Sequence, residues 1–539
     1  MRLENQVNDL ENEVNSFFSS LEIRHYPRNL AQWAVLTKSA IEVQKASAVE
    51  YGGAKHKAAT IVFSRVAALL LDEIANKGTQ RFAPRTSLQW SLDLDNVTYR
   101  ALKEGDGYFS AWACFPYWHQ KRFTAEVYGH RIKFTSNESS RERQVKAFQK
   151  GILRKEDRKS PEESVAPMTS RKAELFEQIV RANEGAKSMR IVYAFPSDLY
   201  SELLPWFRGQ SELLIRHQDE LDLGQYTIKH VKGFLAALQT VCAVHDHLCF
   251  LVARRRRDFP VNSAVLIKKR SEWASELSRL SDVDEKTIQE IIGDLTFGVR
   301  APIDLHSELF VELDQNGNLL GLLPHFGLSA RLDENLFRTL ARKNNKKYNK
   351  LSEIKEEEMV EELRRASSKS ASILGPYELP KEAQTNLDLV IVDEGASTVL
   401  IAELKWIRKP LFVKERIRAD EEFLKGLLQL TKLRVFLENN PSYLRMRGAL
   451  SRDLPKYANV HFTLVGRDHM VWPATDPWCP IVEYDTLKER LRDPTNLNEA
   501  ILALGEYNWL PTEGTDFEVR MSSATVNGVT IEGESYYSL

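Results

Sequence analysis

Three residues in the C-terminal half have the types and spacing of a cation site built on a β-sheet. In the segment NLDLVIVDEGASTVLIAELKW (386–406), Asp388 opens one apolar run, and Glu403 and Lys405 close a second. The turn-forming DEGAS joins the two runs. Strand side chains alternate faces, so Val399, Ile401, Glu403 and Lys405 share one side, and Leu400, Ala402, Leu404 and Trp406 the other. Both faces are apolar until the run ends, which predicts a buried central strand. Charged groups entering a core cost several kcal/mol unless paired or bound to a metal. Two carboxylates on adjacent strands suit a hard divalent ion, Mg²⁺ or Mn²⁺, held with waters and a phosphate. Such an ion can polarise a phosphodiester, and the neighbouring lysine can steer an attacking water.

The spacing from Asp388 to the Glu403-Leu404-Lys405 triplet resembles the bipartite signature of the PD-(D/E)xK, or restriction-endonuclease-like, superfamily. Leu387 stands where the signature has proline. The resemblance spans roughly residues 333–500. It implies a mixed β-sheet flanked by helices and metal-dependent hydrolysis of phosphodiester bonds. Asp388, Glu403 and the carbonyl of Leu404 would hold the metal, and Lys405 would serve the nucleophile. Members often carry a glutamine on the next helix; KGLLQLTKL offers Gln429, with Lys425 four residues earlier.

Members also commonly add a carboxylate from the helix before the first strand. That helix, expected from about Ser352, holds Glu353, Glu356, Glu357, Glu358, Glu361 and Glu362. Met359, Val360, Leu363 and Ala366 define its apolar face, and Glu356 falls at the centre of that face. Glu334 on the preceding helix is the rival. The basic residues after the second run, Arg408, Lys409, Lys414, Arg416 and Arg418, are placed to touch a nucleic-acid backbone. By superfamily analogy the substrate is DNA ahead of RNA, and the setting a restriction or defence effector with an N-terminal recognition region. The competing class is a non-catalytic nucleic-acid-binding or scaffold protein with a nuclease-like fold.

The remaining motifs are weaker. A second E-x-K, Glu353-Ile354-Lys355, lies on a helix. Cys242, His245, His247 and Cys249 have ligand types, but one helix rarely completes a zinc site and no second cluster exists, so they are read as packed core. Arg254–Arg257 follow that helix; four arginines could clamp phosphates, but they are read as a solvated helix end favoured by the macrodipole. The cluster Tyr108, Phe109, Trp112, Phe115, Tyr117 and Trp118 is read as a small core rather than a base-stacking surface. No G-x-x-x-x-G-K-[ST] segment supports an ATP-driven motor.

These residues need a scaffold, and 539 residues are too many for one core. With 43% hydrophobic and 28% charged residues the chain has a globular balance, and its net charge of −1 excludes coating of nucleic acid by bulk charge. Four cysteines form no disulfide framework, no run approaches the ~20 apolar residues of a membrane span, and the charged N-terminus is no secretory signal. The expectation is a cytoplasmic protein without a membrane partner, acting on nucleic acid, with a possible homo-oligomeric or regulatory partner.

The expected class is multi-domain α+β. A helical plus β region (1–136) precedes a polar linker (137–171) and a mainly helical middle region (172–332). The nuclease-like domain (333–500) and a hairpin tail (501–539) follow. Helices are expected at 28–77, 224–254, 270–293, 333–366 and 418–438. Strands are expected at SLQWSLDL, at RFTAEVYGHRIKFTS, at MRIVYAF, in a hairpin over 308–323 turning at Asn316-Gly317, at 461–467, and in the tail turning at Asn527-Gly528.

Overall fold

The computed structural model describes residues 2–47, 54–85, 88–112, 114–152, 154, 169–183, 191–215, 217–256, 260–297, 308–330, 332–367, 371–408, 410, 413–473, 477–492 and 496–539. The chain is α+β and mostly helical. Its strands are β1 (Phe123–Tyr128), β2 (Arg131–Ser136), β3 (Leu266–Lys269), β4 (Phe310–Glu312), β5 (Leu319–Leu322) and β6 (Ser372–Leu374). They continue with β7 (Leu389–Asp393), β8 (Thr398–Trp406), β9 (Asn459–Arg467), β10 (Ile481–Glu483), β11 (Phe517–Val526) and β12 (Val529–Ser538). Three sheets form among the described residues, in the orders β1-β2-β12-β11, β3-β5-β4 and β10-β9-β8-β7-β6.

Two compact units result. One comprises Met1–Trp112, Pro161–Lys343 and Ala524–Ile531; the other comprises Ala113–Ser160, Asn344–Ser523 and Glu532–Leu539. The boundary near residue 333 thus falls instead at 343/344, where Asn344 interrupts the expected long helix. Its side chain accepts from the N–H of Lys347 and starts the helix Asn345–Ala366, so Ser352 is interior to that helix and caps nothing. The stretch expected as a linker carries the helix Ser140–Gln149, opened by a Ser139/Glu142 capping box. Its buried Val145 joins the core of the second unit, a sparse apolar face that the surrounding charge conceals in sequence.

Other differences are local. SLQWSLDL is no strand: the helix Leu92–Trp112 begins within it. Ile191–Phe195 of MRIVYAF has no regular secondary structure and belongs to no ladder, and Met189 and Arg190 lie outside the described residues. The β4–β5 loop places only Gly317 at positive φ (+66°), so it is not the tight two-residue turn expected. Asn527 (+49°) and Gly528 (+85°) both adopt positive φ, as a type I′ turn requires.

In the first unit the helix Ile228–Arg256 is long and apolar enough to cross a membrane, but 78% of its apolar window is buried inside the fold, so it serves as a core helix. In the second unit β8 is central. It pairs antiparallel with β7 and parallel with β9 along its whole length, from Thr398–Asn459 to Trp406–Arg467. β6 is antiparallel to β7, and β10 parallel to β9, so the sheet is mixed. The helix Val413–Asn439 packs Phe423, Leu430, Leu433 and Leu437 into one core with Val390, Val392, Val399, Ile401 and Leu464. The helix Asn345–Ala366 reaches the other face, where the ring of Tyr348 lies 6.1 Å from that of Trp406. Each fully buried Val, Ile or Leu contributes about 1.5–3 kcal/mol, enough in aggregate to offset the cost of holding carboxylates at the end of β8.

Candidate metal and phosphodiester site

The sheet brings Asp388, Glu403 and Lys405 together. The β7–β8 ladder begins at the Leu389–Ala402 pair, which places Asp388, one residue earlier, opposite Glu403 and on its face. Asp388 Oδ2 accepts from the backbone N–H of Leu404 at 2.9 Å. Glu403 is 2% exposed, and Lys405 Nζ lies 2.8 Å from its Oε1. Its other oxygen, Oε2, is buried with no hydrogen-bond partner among the described residues. An unsatisfied buried carboxylate oxygen costs about 1–3 kcal/mol or more, so the position suits a cation that would ligate it.

Glu356 is the fourth member. Its Oε1 accepts from the backbone N–H of Trp406 at 3.3 Å. Of the other glutamates on that helix, Glu353, Glu357 and Glu361 are exposed, Glu358 pairs with Lys355 at 2.5 Å, and Glu362 pairs with Arg467 and Lys488. Lys355, of the second E-x-K, is thereby a buried structural cation. Glu334 lies on the helix Leu332–Lys343, in the other unit.

Burial and the adjacent Asp388 push the Glu403 carboxyl up to about 8. Burial likewise raises Glu356 to about 7, with Lys405 pulling the other way. Asp388 is also raised by burial, against the lowering effect of Lys405, the Leu404 N–H and the adjacent Glu403 carboxyl. Burial alone would lower Lys405, but the carboxylates of Glu403, Glu356 and Asp388 more than offset it and hold the ammonium charged. With all three acids ionised around one lysine the set carries an excess of negative charge, which protons or a divalent cation would neutralise. No group of three or more His, Cys, Asp or Glu side chains forms a ready-made metal cage among the described residues. Asp388 and Glu403 are donors of the type an ion such as Mg²⁺ uses, since it takes one or two carboxylates and keeps several waters.

Gln429 is half-buried on the helix Val413–Asn439, three residues beyond Gly426 and so on its face. An added Cβ at Gly426 would stand 3.1 Å from Lys405 Cε, so that face runs along the lysine stem. Lys425, four residues before Gln429, is exposed and pairs with Glu422 at 2.5 Å. Arg408 is half-buried, pairs with Glu415 at 3.1 Å and lies over Tyr348. Lys409 lies outside the described residues, as does the side chain of Lys414. Two features were missed in sequence: Gly426, whose signal is a glycine inside an otherwise continuous helical pattern, and the tilted ring contact of Tyr348 with Trp406, which had none.

Cys242, His245 and Cys249 are buried, and burial raises both thiols. Arg255 pairs with Glu177, and Arg256 donates to the carbonyl of Asn183. Phe115 packs edge-on against Phe134. Comparison with protein-family models, with curated proteins and with solved structures returns no match.

Proposed function

We propose that the second unit is a metal-dependent nuclease of the PD-(D/E)xK kind, hydrolysing phosphodiester bonds of nucleic acid, DNA ahead of RNA. The observation that carries the reading is the bare Oε2 of Glu403, buried beside Asp388 while Lys405 occupies its other oxygen. A mixed sheet with helices on both faces and the register of Asp388 opposite Glu403 support it. Asp388 and Glu403 would hold Mg²⁺ or Mn²⁺, with the Leu404 carbonyl, and that ion would neutralise charge on a scissile phosphate. Lys405 donates hydrogen bonds to the attacking water and to charge that develops on the phosphate. Glu356, whose carboxyl titrates near neutrality, can take the proton from that water. Gln429 and Arg408 would orient the substrate backbone.

The test is incubation of the full chain with labelled single- and double-stranded DNA and RNA, in Mg²⁺, Mn²⁺ or EDTA. Cleavage of at least one substrate with metal, abolished by EDTA, by Asp388→Asn and by Lys405→Met, is expected. Wild-type rates in Lys405→Met would remove the lysine from the mechanism.

One observation favours a second reading, a non-catalytic nucleic-acid-binding or scaffold module: the 2.8 Å Lys405–Glu403 pair neutralises one acid internally. In that case no substrate is cleaved under any condition, Mg²⁺ leaves the melting temperature unchanged, and Lys405→Met lowers it.

A further inference from the structure

The first unit contains a cleft of about 390 Å³ between the edge strand β3 and a chain segment that belongs to no ladder. One wall is Val265–Lys268, containing most of β3, the outer strand of the sheet β3-β5-β4. An antiparallel edge strand turns every second N–H and C=O outward, away from its one neighbour. The other wall is Ile191–Pro196, the run whose composition predicts a strand and which joins no ladder. Its start is pinned: Ile191 donates to Ser263 Oγ at 2.7 Å, and the Val192 N–H and C=O bond the Asn183 side chain at 2.8 and 3.0 Å. The backbone groups of Tyr193 and Ala194 bond no described residue. Val192 and Phe195 are 72% and 40% exposed, which is unusual for a β-type run left to water.

The floor is tied by hydrogen bonds and its charges are paired. His245 Nε2 lies 2.6 Å from the carbonyl of Ser263 and must donate to it, so Nδ1 accepts from the hydroxyl of Tyr193 at 2.7 Å. Tyr200 donates to Glu276 at 2.9 Å, and Lys268 pairs with the same carboxylate. The mouth, in contrast, is cationic. Arg85 lines the cleft and is exposed, and the exposed guanidinium of Arg279 lies 5.3 Å over the ring of Phe195. Neither has a carboxylate partner among the described residues. Unpaired main-chain groups on facing walls match the alternating donors and acceptors of another peptide strand. Unpaired guanidiniums match carboxylates.

We propose that this cleft binds an extended, acidic polypeptide segment of a partner protein as an added strand alongside β3. The first unit would then be a protein-recognition module, independent of whether the second unit cleaves nucleic acid.

The probes are fluorescent peptides of about seven residues, the length of an ordinary strand, alternating valine with glutamate or valine with lysine. A third probe keeps the valine–glutamate side chains but carries N-methyl groups at every second peptide bond, which removes the donors of one edge. Anisotropy titrations on the full chain should show saturable binding of the glutamate peptide, about tenfold or more tighter than either other probe. Arg85→Glu with Arg279→Glu should reverse the preference between the glutamate and lysine peptides, with an unchanged melting curve. Backbone amide exchange should slow at 193–195 and 265–268 when the glutamate peptide is bound. No saturable binding, equal binding of the N-methylated peptide, or protection confined to other segments would each overturn the proposal.

Discussion

Glu356 accepts a hydrogen bond from the backbone N–H of Trp406 at 3.3 Å, across 50 positions of sequence. Asp388 makes the equivalent bond two residues earlier on β8, to Leu404. β8 runs beyond the point where its ladder with β7 starts, so these N–H groups lie where a neighbouring strand has ended. Two side-chain carboxylates stand in for that strand. A buried backbone donor left unpaired costs about 1–3 kcal/mol, so the end of β8 draws both acids inward. The same geometry crowds them against Glu403 and raises their affinity for protons or a cation.

Glu356→Gln retains an oxygen that can accept from Trp406 and removes only charge and basicity. Cleavage should fall by about 10²–10⁴-fold if the residue takes the proton, with a melting temperature equal to or above wild type. Glu353→Gln, Glu357→Gln and Glu361→Gln, all at exposed positions, should cleave normally. Full activity in Glu356→Gln alongside loss in one of the others would show that the wrong glutamate was chosen.

Much of this site was legible because it obeys period rules. Alternation placed Glu403 and Lys405 on one face, and the 3.6-residue period singled out Glu356 from six glutamates. The same arithmetic gives direction but not depth: Lys425 shares a side of its helix with Gln429, yet it is exposed and pairs with Glu422 while Gln429 is half-buried. Fold errors have similar causes. Ser140–Gln149 buries so little apolar surface that its composition mimics a linker, and Ile191–Phe195 has strand composition without a strand to pair with. Pairing is a tertiary property that composition does not carry.

The pH response of the metal-free protein follows from the raised carboxyls. Glu403 titrates at about 8 and Glu356 at about 7 in the folded chain, against an ordinary value of 4.5. Between those limits the folded state holds protons that the unfolded state has released, so these groups lose stability as pH rises from about 4.5 to 8. Melting in EDTA should decline over that window, more steeply in wild type than in Glu403→Gln. A cation competes with the same protons, so Mg²⁺ should stabilise more at about pH 8 than at about pH 6. A melting temperature in EDTA that climbs to pH 8 would contradict the assigned shifts.

Asp388→Asn separates charge crowding from structural pairing. The amide oxygen can still accept from Leu404, while the repulsion with Glu403 disappears. In EDTA the variant should melt at or above wild type, and Mg²⁺ should no longer stabilise it. A clearly lower melting temperature in EDTA would mean that Asp388 is held chiefly as a partner of Lys405.

Gly426 tests how tightly the lysine must be held. It lies in the middle of the helix Val413–Asn439, where alanine would be favoured by about 1 kcal/mol on propensity alone. A Cβ there would stand 2.9 Å from Leu464 Cδ1, 3.1 Å from Lys405 Cε and 3.3 Å from Lys405 Cγ. Leu464 belongs to the core of the sheet and has little room, so the lysine stem is the part that must shift. Overpacking of this kind costs about 1–3 kcal/mol, which cancels or exceeds the gain in propensity. Gly426→Ala should therefore leave stability within about 2 kcal/mol of wild type. Cleavage should fall by about 10²-fold, the expected effect of displacing a positioned group by roughly 1 Å. Adding Leu464→Ala should recover part of the rate by letting the helix Cβ move toward the vacated space, at a cost in stability. A Gly426→Ala protein that cleaves at the wild-type rate and melts higher would show that Lys405 has freedom to spare and that its placement against this helix is not part of the chemistry.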